Sequence, residues 1–565
     1  MVSESLSYVH GTAKQPLLGV SVGQQLRDRA LERPEALAVA DGCSGLRLSW
    51  RELDERVNRV SAGLLALGLE PGDRLGIWLM NRVEWLLAML GAARVGIIPV
   101  SINPGARLPE LTRCLNLVEA RGLVAQDRFA SSDYTAMLLE LAPALAEAGD
   151  GALRCEAVAS LRHVVQTGEH RAAGAHDFWR LADPCDPAAL ETVESLAAQV
   201  DFDAPANIQF SNATGGESAA TTLTHHNIVN NGASVAATIA LGPDDRVCLP
   251  VPLFHSFGLV MGNMACLASG AAMVYPGETF DPQATLEAVA RERCTALYGV
   301  PAMFKAMLEH ERFAEFDVRS LRTGIMAGAP CPPETMDQVI RHMHMAEVTI
   351  GYGMTESSPI SFMSDIDDPV GHRLSTVGTV RPNVEAKIID AEGRIVPRGE
   401  SGELCVRGYN VMAGYWGDPA LTERVIDARG WLHTGDLACL DEAGYCRIVG
   451  GVKDVIIRGG ENIYPAEIEG FLREHADIRD AVVVGVPDER LGEVVCACIE
   501  SQAGATLDAE AVRAWCQDRI AHYKIPRHIR IYDRFPGSTG RALREMLRAE
   551  SLAALGLEPA ASGDS

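Results

Sequence analysis

Lysine is scarce in this 565-residue chain. Lysine and arginine together number 50, but the lysines are only Lys14, Lys305, Lys387, Lys453 and Lys524. Aspartate and glutamate number 75, which gives a net charge of −25. A phosphate backbone would be repelled by such a surface, and no basic stripe interrupts it, so we expect no nucleic-acid partner. The arginine bias also weakens any argument from a single Lys-to-Arg difference.

Paired cysteines, a targeting leader and a membrane span are also missing. The 14 cysteines contain no Cys-x-x-Cys spacing, which argues against a structural zinc site of that type and against a small disulfide-rich scaffold. The first residues lack a basic and then apolar leader. Prolines and glycines interrupt the nearly uncharged stretch 247–276, so burial in an α/β core explains it better than a membrane span. We therefore expect a cytoplasmic, reduced protein without membrane contact.

Strand and helix patterns alternate over most of the chain. Ser49 and Glu52 have the spacing of an N-terminal capping box, and apolar residues then recur at helical intervals. A buried strand at 75–79, a helix at 83–94 and a strand at 97–100 follow. This order predicts parallel sheets covered by helices.

A second, smaller unit follows a change of pattern at 450–454. It contains a glycine-rich turn, a helix that begins at Pro465, strands at 481–486 and 494–499, and a helix near 507–521. We predict a large N-terminal domain at 1–451, a small α+β domain at 452–555, and a disordered tail at 556–565.

Recognisable motifs follow one another in order along the chain. They occupy residues 96–104, 208–227, 252–258, 327–330, 352–356, 431–436 and 459–465. Tyr352-Gly353-Met354-Thr355-Glu356 is the most specific of them. Together they resemble the signature motifs of acyl-CoA synthetases in the adenylate-forming (ANL) superfamily.

The resemblance implies a fold and a reaction in two steps. The fold is a large N-terminal α/β domain of several sheets covered by helices, which binds acyl-AMP and the acyl group, and a small mobile α+β C-terminal lid. ATP and a carboxylic acid first give acyl-AMP and pyrophosphate, and the CoA thiol then displaces AMP. The lid exchanges catalytic surfaces between the two steps.

The resemblance also implies roles for individual residues. Tyr352 would pack on the adenine, Asp436 would accept hydrogen bonds from the ribose, and Glu356 is a candidate Mg²⁺ ligand. The acyl-AMP site as a whole would consist of Gly328, Ala329, Pro330, Tyr352, Gly353, Thr355 and Asp436. His255 and Gly351 would border the acyl pocket, although a core histidine is an equally open interpretation of His255.

The phosphate-binding loop departs from the family pattern, Thr-Ser-Gly-Thr-Thr-Gly-x-Pro-Lys-Gly. Ala219 removes the lysine, Ala220 removes a glycine, and Glu217 adds an anion where anions must bind. The degenerate loop consists of Ser211, Asn212, Ala213, Thr214, Gly215, Gly216, Glu217, Ser218, Ala219 and Ala220. Loss of one preorganised electrostatic donor typically costs ~10²–10³-fold in rate.

Two further departures concern the adenylation step. Arg541 stands where relatives have a catalytic lysine, and its planar fork is not equivalent to an ammonium group. Gly451 replaces an arginine that helps to hold the nucleotide. These differences predict that ATP is bound poorly and that neither ATP nor Mg²⁺ is used.

Residues for the CoA step are retained. Lys453 lies at the expected hinge, and Gly459 and Gly460 would form a lid hairpin that lets pantetheine approach. Tyr523 and Lys524 are placed where relatives contact the CoA nucleotide, although Tyr523 has packing under the lid as an alternative.

The leading hypothesis is therefore a non-adenylating acyl-CoA ligase that takes preformed acyl-AMP from a separate adenylating enzyme. It most resembles the ligases of platensimycin and platencin diterpenoid biosynthesis, which would imply a bulky diterpenoid acid and a role in antibiotic biosynthesis. The alternatives are a complete ATP-dependent acyl-CoA synthetase and an inactive protein that binds acyl-AMP or acyl-CoA. Many relatives dimerise, so a homodimer is a further expectation by analogy.

Overall fold

The computed structural model describes residues 5–147, 153–212, 218–328, 331–451, 455–463, 465–502, 505, 507–535 and 540–557. The chain divides into two compact units. The larger, N-terminal unit ends at Gly450, and the smaller, C-terminal unit begins at Gly451 and also includes Gly105–Glu110 and residues 212–219. The division lies next to the boundary that we predict after residue 451.

The strands of the N-terminal part, in chain order, are β1 (Tyr8–His10), β2 (Leu37–Asp41), β3 (Arg47–Ser49), β4 (Arg74–Trp78), β5 (Ile98–Ser101), β6 (Gly122–Gln126), β7 (Arg128–Phe129), β8 (Ser132–Asp133), β9 (His163–Thr167), β10 (His176–Asp177), β11 (Pro205–Asn212), β12 (Ser218–Thr224), β13 (Arg246–Cys248), β14 (Ala272–Tyr275), β15 (Ala296–Gly299), β16 (Thr323–Ala327), β17 (Glu347–Gly353), β18 (Ile360–Met363), β19 (Thr379–Val380), β20 (Val384–Ile389), β21 (Gly402–Gly408), β22 (Gly414–Tyr415), β23 (Leu432–Leu440) and β24 (Cys446–Gly451). Those of the C-terminal unit are β25 (Ile456–Arg458), β26 (Glu461–Ile463), β27 (Ile478–Asp488), β28 (Gly492–Ser501) and β29 (His528–Tyr532).

The α-helices are α1 (Val22–Glu32), α2 (Trp50–Ala66), α3 (Val83–Arg94), α4 (Leu108–Leu117), α5 (Tyr134–Leu141), α6 (Phe178–Leu181), α7 (Pro187–Ala197), α8 (His225–Thr238), α9 (Ala265–Ser269), α10 (Pro282–Glu292), α11 (Pro301–Leu308), α12 (Pro333–His342), α13 (Val370–Ser375), α14 (Pro419–Val425), α15 (Pro465–Arg473), α16 (Ala509–Cys516) and α17 (Gly540–Leu555). Short 3₁₀ turns lie at Pro143–Ala146, Phe313–Glu315, Thr355–Ser357 and His522–Lys524, and a π-helix spans Phe257–Met264.

Most strands of the N-terminal unit belong to extended sheets. One has the order β10-β9-β6-β4-β5-β11-β12-β22, and another has the order β19-β18-β17-β16-β15-β13-β14-β2-β3. A mostly antiparallel sheet has the order β1-β20-β21-β23-β24. The first two sheets are parallel through their centres, as the alternation of strands and helices predicts.

The sequence patterns near the start of the chain have the local structure that they predict. Ser49 accepts a hydrogen bond from the backbone N–H of Glu52, and the Glu52 carboxylate accepts one from the N–H of Ser49, so the capping box of α2 is confirmed. The predicted strand, helix and strand correspond to β4, α3 and β5, and β4 and β5 are parallel.

The uncharged stretch 247–276 lies within the core and not in a membrane-spanning helix. It comprises the end of β13, the π-helix, α9 and β14. The π-helix residues are all buried, and the segment has few charged residues because charged side chains are rarely buried. Over the described parts of the chain, no helix is both long and apolar enough to cross a membrane.

The central strands of the second parallel sheet pack on helices over a hydrophobic core. That core includes Leu286 of α10, Phe304 of α11, Val339 of α12 and Met326 of β16. Burial on both faces explains why these strands are almost continuously apolar. The core holds the carboxyl ends of β16 and β17 side by side, with Ala327 opposite Gly351.

The C-terminal unit is an α+β domain, as predicted. β27 and β28 form a long antiparallel pair, and β29 adds in parallel to β28. Helix α16 is shorter than the predicted 507–521 helix because it ends at Cys516, where Gln517 is extended and Asp518 has a φ of 62°. The sequence analysis did not predict β29 or α17.

Candidate active site

The residues that are predicted to bind the nucleoside lie on strands β17 and β23. The hydroxyl of Tyr352, near the end of β17, donates a hydrogen bond to Oδ2 of Asp436 on β23 at 2.6 Å. Burial raises the pKa of Tyr352, and the Asp436 carboxylate raises it further, so the phenol remains a donor at neutral pH. The structure therefore brings together the two residues that the motifs assign to the adenine and the ribose.

Two glycines keep backbone segments close together beside Tyr352. A Cβ atom on Gly353 would lie 1.7 Å from the carbonyl oxygen of Pro359, so no larger residue fits there. Gly328 follows β16 with a φ of 82°, in the left-handed region that favours glycine. The fold therefore favours glycine at both positions, whether or not a ligand binds.

Hydrogen bonds hold the buried side chain of Glu356 in place. Its side chain is buried, and Oε1 accepts hydrogen bonds from Ser211 Oγ and from Tyr415 OH, both at 2.9 Å. Ser211 also lies 2.7 Å from the hydroxyl of Thr221. Ser211 lies on β11 and Tyr415 on β22, so hydroxyl groups from two strands fix the Glu356 carboxylate. The motif predicts Glu356, but no pattern predicts that Ser211 and Tyr415 are its partners.

The position of the missing lysine is occupied by a buried methyl group. Ala219 lies in β12 and is 4 % exposed, and the adjacent Ala220 is 1 % exposed. The Ala220 carbonyl accepts a hydrogen bond from the N–H of Trp416 at 2.7 Å. Ala219 and Ala220 are thus packed in β12, and Ala219 supplies no cation to a triphosphate.

His255 lies just before the π-helix. Its Nδ1 accepts a hydrogen bond from the N–H of Phe257 at 3.1 Å, and burial lowers its pKa to about 4. The imidazole is therefore neutral at physiological pH and carries its proton on Nε2. Single-turn π-bulges often occur at functional sites, which favours a functional interpretation of this segment.

Gly351 lies against the same apolar elements. A Cβ atom there would come within 2.9 Å of Ile360 Cδ1, and 3.8 Å of Met261 Cε in the π-helix. A side chain would therefore displace β18 or fill space beside the π-helix. This placement agrees with a role for Gly351 at the edge of an acyl pocket.

The lid hairpin of the C-terminal unit connects β25 and β26. Gly459 and Gly460 have φ values of 59° and 93°, and Arg458 pairs with Glu461 across the turn. Two-residue hairpins with positive φ at both positions favour glycine. The turn geometry alone therefore requires small residues here. Burial raises the pKa of the adjacent Glu461 to about 7, so this carboxyl group titrates near neutral pH.

Lys524 makes ion pairs within the same unit. Its Nζ lies 2.7 Å from Glu110 and 2.6 Å from Glu467. Burial disfavours the ammonium charge, but Tyr523 and the two carboxylates outweigh burial and raise the pKa of Lys524. Tyr523 packs against the hydrophobic core of the C-terminal unit. The predicted CoA contacts of both residues stay predictions.

Several predicted site residues lie outside the described residues. They are Ala329, Pro330, Ala213, Thr214, Gly215, Gly216, Glu217 and Lys453. The backbones of Asn212, Ser218, Gly451 and Arg541 are placed in strands or a helix. Thr355 begins the 3₁₀ turn that also carries Glu356.

Two family models match this chain. The model of the AMP-binding enzyme matches residues 26–416, and that of the AMP-binding enzyme C-terminal domain matches residues 467–540. The chain belongs to the AMP-binding enzyme family. This family membership confirms the resemblance to adenylate-forming acyl-CoA synthetases.

Curated relatives cover almost the whole chain. The mitochondrial medium-chain acyl-CoA ligase ACSF2 of Danio rerio is 40% identical over 555 residues, which are 98% of this chain and 91% of that protein. The putative acyl-CoA synthetase YngI of Bacillus subtilis is 39% identical over 95% of this chain and 98% of its own length. This AMP-binding enzyme is accordingly an acyl-CoA ligase by family.

Solved structures confirm the fold class. The amide bond synthetase McbA of Marinactinospora thermotolerans has a TM-score of 0.77 and 25% identity, covering 94% of this chain and 99% of its own. ATP-bound MatB of Rhodopseudomonas palustris has a TM-score of 0.65 and 26% identity, covering 95% of this chain and all of its own. The predicted large α/β domain with a small C-terminal domain is thereby confirmed.

The comparisons correct one expectation from the sequence. We predict from Ala219, Gly451 and Arg541 that ATP and Mg²⁺ are not used. Yet acyl-CoA ligases and synthetases match this chain over nearly their whole length, and related structures, MatB among them, bind ATP. The non-adenylating interpretation therefore lacks support, and the complete synthetase agrees better with the relatives. They also show no link to platensimycin or to antibiotic biosynthesis.

Proposed function

We propose that this chain is a complete acyl-CoA synthetase that uses ATP and CoA to convert a carboxylic acid into its CoA thioester. The observation that carries the proposal is the 40% identity to a medium-chain acyl-CoA ligase over 98% of the chain. A likeness that includes both domains favours both steps of the reaction. The acyl group that this relationship suggests is a medium-chain fatty acid.

The chemistry explains why two steps are needed. A carboxylate is a poor acyl donor, so its oxygen first attacks the α-phosphorus of ATP, and pyrophosphate leaves. The CoA thiol then loses its proton and attacks the acyl carbon, and the C–O bond to AMP breaks. AMP is a far better leaving group than oxide, which is the purpose of the adenylate.

The described residues fit the nucleotide part of this scheme. Asp436 would accept hydrogen bonds from the ribose hydroxyls, and Tyr352 orients it through the bond at 2.6 Å. Glu356, fixed by Ser211 and Tyr415, would hold Mg²⁺ near the phosphates with its carboxylate. Mg²⁺ would neutralise the charge that develops on the departing pyrophosphate.

The transfer step alone is a second candidate function, and the buried Ala219 favours it. A methyl group in place of an ammonium group would weaken binding of the β- and γ-phosphates of ATP. It would leave the binding of an acyl-adenylate, which lacks these phosphates, unaffected. In this case a separate adenylating enzyme would supply acyl-AMP. A bulky diterpenoid acid as the acyl group, and a homodimer as the assembly, stay predictions.

Two parallel reactions distinguish the candidates. In the first, the purified chain receives a series of straight-chain acids, ATP, Mg²⁺ and CoA, and in the second it receives synthetic acyl-AMP of the same chain lengths and CoA. Mass spectrometry measures acyl-CoA in both, and a coupled assay measures pyrophosphate in the first.

Thioester in both mixtures, with pyrophosphate in the first, is the expected result. Thioester from acyl-AMP alone would overturn the complete reaction in favour of the transfer step. Thioester in neither mixture, across all chain lengths, would leave only a protein that binds acyl-AMP or acyl-CoA.

A further inference from the structure

A cysteine, a histidine and a glutamate meet on one face of the antiparallel sheet. Glu403 and Cys405 lie two residues apart on β21, so their side chains point to the same side. His433 on β23 is paired directly with Cys405, and the register shifts between Glu403 and Cys405. Across this shift β23 advances from Leu437 to His433 while β21 advances from Glu403 to Cys405.

The spacing of the three donor atoms fits a tetrahedral metal ion. His433 Nδ1 lies 3.1 Å from Glu403 Oε2 and 3.6 Å from Cys405 Sγ, and all three atoms lie within 4.8 Å of one another. Zinc bonds of about 2.3 Å to sulfur and about 2.0–2.1 Å to nitrogen and oxygen place tetrahedral ligands about 3.3–3.6 Å apart. Small side-chain rotations would thus be enough to admit the ion.

The partial exposure of two of the three side chains leaves room for a fourth ligand to the metal ion. Cys405 is fully buried and packs against Trp431, whereas the side chains of Glu403 and His433 are 31% and 32% exposed. The open side of the cluster therefore faces water. Three protein ligands with one water is the arrangement of an open zinc site, in contrast to closed sites with four protein ligands.

The neighbouring charges permit a dication. A Cys405 thiolate and the Glu403 carboxylate would together balance two positive charges. Two cations lie nearby: Lys387 and Arg407 are over the Trp431 ring, at 4.4 Å and 4.5 Å, and Glu385 compensates the charge of Arg407.

We propose that Glu403, Cys405 and His433 form a binding site for a thiophilic divalent cation of the zinc class. Thiolate and imidazole ligands select zinc over Mg²⁺ and Ca²⁺, which prefer all-oxygen sites. When the ion binds, the Cys405 S–H bond breaks, its proton passes to water, and a metal–sulfur bond forms without a change of oxidation state.

The site is connected to the nucleotide site through β23. The hydroxyl of Thr434 donates a hydrogen bond to the carbonyl of Leu404, which lies between Glu403 and Cys405, and accepts one from the N–H of Asp436. A cation that joins β21 to β23 therefore fixes the strand that presents the ribose ligand.

Cobalt(II) tests the site directly because a cobalt–thiolate bond absorbs light. The full-length protein, freed of metal by a chelator, is titrated with Co²⁺ at neutral pH and then with Zn²⁺ as a competitor. We expect one Co²⁺ per chain, thiolate-to-cobalt charge-transfer absorption, and its loss when Zn²⁺ is added.

The variants assign this absorption to the three residues. Cys405→Ser should abolish the band, Glu403→Gln and His433→Asn should weaken Co²⁺ binding at least tenfold, and Cys43→Ser, at an exposed cysteine, should change nothing. Circular dichroism confirms that each variant is folded, and Glu403→Gln tests the site if Cys405→Ser does not fold. Absence of the band in the unmodified protein, or its persistence in Cys405→Ser or at full strength in Glu403→Gln, would overturn the proposal.

Discussion

The residues that are predicted to bind the nucleoside follow the family pattern, whereas those that are predicted to bind the phosphates do not. At the nucleoside end, the hydroxyl of Tyr352 is bonded to Asp436. At the phosphate end, the buried Glu356 is held by two hydroxyl groups, but the buried Ala219 of β12 stands where relatives have a lysine. The residues that are predicted to bind the nucleoside are therefore joined to each other, whereas the lysine that relatives offer to a triphosphate is replaced by Ala219.

This contrast shows that ATP and acyl-AMP place different demands on one site. Both ligands contain adenine, ribose and an α-phosphate, so under the proposed function both would use Tyr352 and Asp436. ATP alone needs charge to be neutralised at its β- and γ-phosphates. Substitutions at the two ends should consequently change the two half-reactions unequally.

Restoration of the lysine at the phosphate end should have the largest effect. We expect Ala219→Lys to raise ATP-dependent thioester formation by ~10²-fold, because a preorganised cation near developing phosphate charge is worth about that much. Thioester formation from acyl-AMP should stay the same. Rates of both reactions at saturating CoA provide the measurement.

Ala219→Met is the matched control, since it adds length without charge at the same buried position. It should leave the ATP-dependent rate at or below that of the unmodified chain. An equal gain in Ala219→Lys and Ala219→Met, or a gain in both half-reactions, would contradict a role for missing charge.

Removal of the Glu356 charge should come next in size. We expect Glu356→Gln to lower the ATP-dependent rate by about 10–100-fold, the range for hydrogen bonds and ligation to a charged group. The reaction that starts from acyl-AMP should fall much less, because no triphosphate-bound Mg²⁺ takes part. Tyr415→Phe, which removes one bond to Glu356 and no charge, should have a smaller effect, and a larger one would argue against Mg²⁺ ligation.

At the nucleoside end, Tyr352→Phe should have a modest effect on both half-reactions. The bond orients Asp436 and does not itself reach the ligand, so we expect its loss to cost AMP binding about 0.5–1.5 kcal/mol, or about 2–10-fold in affinity by calorimetry. Tyr445→Phe is the control, because Tyr445 also donates to an aspartate, Asp368, at 2.6 Å. Equal losses of AMP affinity in the two variants would show that general stability, and not Asp436, is responsible.

His255 should produce the smallest effect, a pH dependence of stability. Its pKa is about 4 in the folded chain against 6.5 for the free side chain, so the unfolded state binds more protons between these values. This contribution to stability is present above pH 6.5 and is lost as the pH falls towards 4. As the pH is lowered from 6.5 towards 4, the melting temperature of the unmodified chain should therefore fall further than that of His255→Gln. A difference in melting temperature between the two proteins that stays constant with pH would contradict the prediction.

Local patterns were enough to predict much of the fold. The capping box at Ser49, the helix at 83–94 and the interrupted stretch 247–276 all have the expected structure, since short-range hydrogen bonds and burial determine them. The end of α16 was missed because it depends on the left-handed conformation of Asp518, which has no strong sequence signal.

Motifs predicted the members of the site but not their partners. Tyr352, Glu356 and Asp436 were identified from their motifs, and the structure joins Tyr352 to Asp436. Tyr415, 59 residues after Glu356, could not be predicted because the contact depends on the pairing of β12 with β22. The Cys405–His433 pair depends in the same way on sheet register.

The glycines of the lid hairpin are a poor guide to whether a related chain uses CoA. Because its turn geometry favours glycine at Gly459 and Gly460, a chain that had lost all use of CoA would still be under pressure to keep both for the sake of folding. The pair therefore has little diagnostic value. At Ala219, by contrast, the strand accepts a plain methyl group, so folding does not prevent this residue from changing when the activity changes. Ala219 is therefore the better marker when related sequences are compared for activity.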